Sequence, residues 1–127
     1  KAGTSFGAVI SLGDEPVVTA VNTTKKDSDV TAHAEMNAIR DLCALTQSRS
    51  FPGYRLYTTC EPCPMCAGAI AWANMAAVYY GASIEDAAQF MPQITVGCGH
   101  IFKNYSSKIE IIGGLLQKKC IHLLKHN

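Results

Sequence analysis

The stretch CEPCPMC, residues 60–66, places Cys60, Cys63 and Cys66 at three-residue spacing with two prolines among them. Such crowding points to a metal rather than to disulfides: a secreted scaffold spreads its bridges to staple loops, and here only Cys43, Cys98 and Cys120 lie apart from the cluster. Pro64 suits the first turn of a helix, where its missing N–H costs nothing. Cys63 and Cys66 then share one helical face, at an end whose free N–H groups and dipole favour thiolate over thiol. Two thiolates are half of a tetrahedral zinc shell.

The remaining ligand must come from elsewhere in the chain. His33, in TAHAEMNAIR (31–40), is best placed; His100 in a glycine-rich stretch and His122 and His126 near the end are rivals. Glu35 favours His33. In mid-helix, residues two apart point nearly opposite ways, so His33 and Glu35 share a site only in a first, open turn. Three ligands, His33, Cys63 and Cys66, would leave a fourth position for water, the arrangement of catalytic rather than structural zinc. Zinc brings the pKa of bound water from about 15.7 to near 7. A carboxylate beside that water can carry its proton to a leaving amine, and Glu35 is suited to this task. Iron–sulfur ligation by C-x-x-C-x-x-C and a closed zinc site completed by Cys60 are the alternatives, and both leave Glu35 without a role.

These residues need elements to hold them. Two apolar runs, 6–12 and 17–21, flank Gly13-Asp14-Glu15-Pro16 and read as a β-hairpin. Residues 22–31 are polar and read as a loop, and 32–47 as an amphipathic helix whose apolar face carries Met36, Ile39 and Cys43, with Leu42 as a further candidate. After Pro52-Gly53 come a strand at 54–59 and an apolar helix at 67–77, preceded by the cysteine cluster. A short strand at 78–80, a brief helix to residue 89 capped by Ser83, a loop from 90 to 107, a strand at 109–112 and a helix at 115–125 complete the chain. Strands alternating with helices predict a single three-layer α/β domain spanning residues 1–127.

Composition narrows the function classes. With 11 Lys and Arg against 10 Asp and Glu, a formal net charge of +1, no global field draws the chain toward nucleic acid or membrane. The longest apolar run is too short to span a bilayer, and residues 1–5 show no hydrophobic leader, so a reducing, cytoplasmic setting is expected. The first residue is Lys1 rather than Met, so upstream sequence that was lost, processed or left out is expected.

His33-Ala34-Glu35 followed by Pro62-Cys63-Pro64-Met65-Cys66 matches H-x-E…P-C-x-x-C, the signature of zinc-dependent base deaminases. With FGAV (6–9), LYTTCEPCPMC (56–66) and GAIAWA (68–73), the chain resembles the cytidine/deoxycytidylate deaminase superfamily, in the branch of guanine deaminases and tRNA adenosine deaminases. The resemblance runs from Phe6 to Tyr80. It implies an α/β/α sandwich with a mixed sheet of about five strands, and one Zn2+ per chain on His33, Cys63 and Cys66, leaving Cys60 free. It also implies hydrolysis of an exocyclic amine with release of ammonia, Glu35 shuttling the proton. Asn22 and the Ala34 backbone N–H would hold the base, and Phe6 and Trp72 would wall the pocket, core packing being the plain alternative for both.

A guanine-like purine is the favoured substrate, although guanine deaminases carry a further acidic residue soon after IEDAAQF, where this chain has Phe90-Met91-Pro92-Gln93. A tRNA adenosine deaminase is the second reading; it needs basic side chains for backbone contacts, and the tail offers Lys118, Lys119 and Lys125, for which a solvated helix face is the plainer role. A silent zinc- or RNA-binding relative is the third. The family's first helix would be incomplete here. The apolar surface from Trp72 to Met75 would join two chains in a homodimer.

Overall fold

The computed structural model describes residues 6–105 and 108–126. Strands β1 (Gly7–Leu12) and β2 (Glu15–Val21) form the expected antiparallel hairpin, turned by Gly13 at a φ of 61°. That left-handed conformation is open to glycine without steric cost. A single turn, α1 (Thr24–Asp27), lies in the stretch expected to be a loop. It buries no side chain and so leaves no apolar periodicity to read.

Helix α2 (Ala34–Thr46) buries Ala34, Ala38, Ile39 and Leu42 on one face. Strand β3 (Tyr54–Cys60) leads into the cysteine cluster and α3 (Pro64–Trp72), with Pro64 in the first turn. α3 stops five residues short of the expected end. Ala73 closes it, and Asn74 at a φ of 58° turns the chain out of the helical path. Strand β4 (Ala77–Ala82) is longer than expected and runs through Gly81. Then follow α4 (Ile84–Ala88), α5 (Cys98–Phe102), β5 (Glu110–Ile112) and α6 (Gln117–Lys125). Ser83 caps α4 in a reciprocal box with Asp86, whereas α5 falls where a loop was expected.

The five strands lie in the order β2-β1-β3-β4-β5, with β1 antiparallel to both neighbours and β3, β4 and β5 parallel. Side chains alternate across a strand, so Ile10, Leu56 and Val78 share one face. They are fully buried in one core with α2, α3 and α5. Val9, Tyr57 and Tyr79 point the other way, the two tyrosine rings stacked at 4.7 Å, toward Leu115, Leu116 and Cys120 at the start of α6. The expected three-layer sandwich with a mixed five-stranded sheet is present. Cys60 at the end of β3 pairs with Ala82 at the end of β4, and carboxyl ends of adjacent parallel strands are where open α/β sheets place ligands.

Candidate active site

Two helix N-termini meet at that sheet edge. His33 is the residue immediately before α2, Cys63 the one immediately before α3, and Cys66 is the third residue of α3. Extended backbone at His33 (ψ 156°) and Cys63 (ψ 170°) swings both side chains out of the helical path and toward each other. The His33 Nδ1 atom lies 3.6 Å from the sulfur of Cys63 and 3.6 Å from that of Cys66. A tetrahedral zinc with Zn–S near 2.3 Å and Zn–N near 2.05 Å holds nitrogen and sulfur about 3.6 Å apart. The donor set fits zinc in identity and in spacing. Among the described residues it is the one cluster of three or more His, Cys, Asp or Glu with donor atoms within 4.8 Å of one another. His100, His122 and His126 lie outside it, the last two with ring centroids 4.3 Å apart and planes tilted by 52°.

The charges agree with this role. The Cys63 thiol is brought down to about 4, first by a hydrogen bond from Cys66, against the cost of burial, and further by His33. Cys66 moves in the opposite direction because it supplies that hydrogen bond and is buried. The His33 imidazole is raised by the same Cys63 sulfur. Cys63 is thus a ready thiolate, and a divalent cation would displace the proton that Cys66 shares with it.

Glu35 stands one residue into α2, 8% exposed. Burial pushes its carboxyl up to about 7, with the Cys63 charge adding to the rise and the Thr58 hydroxyl opposing it. It lines a pocket of about 170 Å³ together with His33, Ala34 and Cys63. Asn22 and Phe6 border the same pocket. The Asn22 side-chain oxygen accepts from the Thr24 backbone N–H at 3.0 Å and from its hydroxyl at 2.9 Å, so the amide nitrogen is what Asn22 can offer a ligand. Phe6 also packs, with Cys60 and Met91, on Ala82 and Ala87.

Trp72 does not wall this pocket. It ends α3 and is 76% exposed, beside Ile39, Cys43 and Ala69 in a separate groove. An apolar helix carries side chains on every face, and Trp72 sits on the one that α2 and the sheet leave uncovered.

Residues 1–82 match the family described as the cytidine and deoxycytidylate deaminase zinc-binding region. The chain belongs to that family. Against the guanine deaminase of Bacillus subtilis it is 45% identical over 87 residues, 68% of this chain and 56% of that relative. Against the tRNA-specific adenosine deaminase of Agrobacterium fabrum it is 39% identical over 111 residues, 83% of this chain and 72% of the relative. A solved structure from work on tRNA:A34 deaminases superposes with a TM-score of 0.77 at 31% identity, over 93% of this chain and 83% of that one. The guanine deaminase of Nitrosomonas europaea superposes with a TM-score of 0.86 at 22% identity, a likeness of fold.

For a member of the deaminase family, the pocket holds more than the motif announces. Thr24, Thr58, Glu61, Met91 and Gln93 also line it. Thr24 stands in the unseen turn α1, while Met91 and Gln93 come from a segment whose sequence carries no periodic signal. Glu61 was missed as well, although a lone carboxylate within the cysteine stretch CEPCPMC is a signal that could have found it. It is 8% exposed.

Proposed function

We propose that this chain is a zinc-dependent hydrolytic deaminase that removes an exocyclic amine from a nucleobase-like ring and releases ammonia. The observation that carries the reading is the coincidence, in one pocket, of the His33/Cys63/Cys66 donor set with a buried Glu35 raised to about 7. A structural metal site needs no such carboxylate beside it. Zinc held by the three donors would supply Lewis acidity, making water a nucleophile at neutral pH. Glu35, poised near neutrality, can carry one proton of that water to the ring nitrogen and the second, from the hydroxyl added to the ring carbon, to the departing amine, which leaves as ammonia. The first-turn N–H of Ala34 has no acceptor within its own helix, so it and the Asn22 amide are the donors that would orient a ring carbonyl or nitrogen. Phe6 and Met91 give the cavity apolar sides suited to a flat heterocycle, and about 170 Å³ is small beside the roughly 300–1,000 Å³ of a drug-sized pocket.

A free guanine-like purine is the favoured substrate, supported by the 45% identity to a guanine deaminase. The second reading, adenosine in tRNA, is supported by the longer alignments and by the 0.77 superposition. A cytoplasmic setting is part of the proposal for either substrate; no helix among the described residues is long and apolar enough to cross a membrane. A homodimer is part of the proposal, with Trp72 at its contact.

The test is ammonia release on guanine, other free bases, nucleosides and tRNA by protein carrying one zinc per chain, beside the variant Glu35→Gln. Turnover on at least one of these, lowered by about 10²–10⁴-fold in the variant with zinc content unchanged, is expected. Zinc-loaded protein that acts on none of them is a silent relative.

A further inference from the structure

Glu61 sits between Cys60 and Pro62, two residues before the ligand Cys63, and its carboxylate is almost wholly buried. Its backbone N–H is fixed to the Ala82 carbonyl at 2.7 Å, so the side chain leaves from an anchored point at the sheet edge. One carboxylate oxygen accepts the backbone N–H of Ile84 at 3.1 Å, and the other that of Cys98 at 2.9 Å. Ile84 and Cys98 are the first residues of α4 and α5, whose leading N–H groups have no partner within their own helices. A single carboxylate therefore closes both ends of the segment 84–98. Between those ends the chain is irregular from residue 89 to 97, and there Met91 and Gln93 are half-buried and line the pocket, while Pro92 and Ile94 face outward.

We infer that Glu61 is a positioning residue for this pocket: by fastening both ends of segment 84–98 to the metal-binding loop, it sets where Met91 and Gln93 stand over the substrate. Its kinetic consequence rests on the deaminase reading, and its structural consequence does not. Glu61→Gln keeps the shape but replaces one acceptor by an N–H₂ that faces a backbone N–H. One end of the segment is then released, while His33, Cys63, Cys66 and Glu35, which lie on other elements, stay in place.

Hydrogen exchange on the zinc-loaded protein tests the fastening directly. In Glu61→Gln, amides of residues 84–98 are expected to exchange at least about tenfold faster, the loss of one hydrogen bond to a charged group, with α2 and α3 peptides and zinc content unchanged. With guanine or a tRNA anticodon stem-loop, whichever turns over, KM should rise about tenfold and kcat should change by less than about threefold. Gln93→Ala should raise KM as well and add little to it in the double variant, because Gln93 is already displaced. Unchanged exchange in 84–98, loss of zinc, a collapse of kcat with KM intact, or additive effects of the two substitutions would each overturn the assignment. If no substrate turns over in the native protein, the functional reading fails and the exchange measurement still decides this one. Should Glu61→Gln fail to fold, Gly97→Ala carries the same test. A methyl group there would lie 3.1 Å from the Glu61 oxygen that holds Cys98, and should give the same pattern at smaller amplitude.

Discussion

At the scale of single residues, the chain's cysteines show how environment rather than residue type decides chemistry. Cys63 is held as a thiolate beside His33 and Cys66, whereas burial pushes the thiols of Cys60 and Cys98 up to about 12. For Cys98 the consequence is a pH-dependent stability. Between its ordinary value of 9.0 and about 12, the unfolded chain loses the thiol proton and the folded chain keeps it. The folded state binds more protons across that window, so stability falls as pH rises through it. The denaturant midpoint of the native protein should drop more steeply above about pH 9 than that of Cys98→Ala. Parallel curves for the two proteins would show that the buried thiol titrates normally. The candidate site residues were legible because their types are rare and their spacing is geometric: a histidine and a carboxylate two apart, two cysteines three apart. Met91 and Gln93 were not, since a side chain that merely borders a pocket leaves no mark on local sequence.

At the scale of elements, the hairpin, α2, β3 and α6 follow from periodicity and turn residues, and the differences cluster where local signals conflict with packing. The apolar run continues past Trp72, yet α3 ends there because Asn74 reverses the chain so that β4 can enter the sheet. Gly81 reads as a strand terminator, yet β4 passes through it because the absent side chain makes room for α6. A Cβ at residue 81 would overlap the Cys120 sulfur and crowd the Leu115 carbonyl at 2.9 Å. Gly81→Ala should therefore push α6 off the sheet and lower stability by about 1–3 kcal/mol, the usual cost of overpacking. Cys120→Ala should recover part of that loss and no more, since its own Cβ would remain 2.8 Å from the inserted methyl. A Gly81→Ala protein as stable as the parent would mean that α6 is not seated against β4 in solution.

At the scale of the whole molecule, the question is which surface is unfinished. The formal charge of +1 supplies no long-range pull toward a partner, so association must rest on local contacts. Of the expected apolar surface from Trp72 to Met75, only part is available: Ala73 and Met75 are buried in the chain's own core, and Trp72 stands out at 76% exposure. Around it, Ile39, Cys43, Ala69 and Arg49 from α2, α3 and the turn before β3 form a shallow groove of about 550 Å³. A tryptophan with an apolar groove and an arginine at its side has the make-up of an interface hot spot. A second copy of the chain would bring its own tryptophan to the same groove, satisfying both by one symmetric contact. The zinc-loaded protein is expected to sediment as a dimer at micromolar concentration and Trp72→Glu as a monomer. Because Trp72 lies outside the pocket, that variant should keep its zinc. A native monomer would remove the homodimer from the proposal, and a Trp72→Glu dimer would place its contact elsewhere.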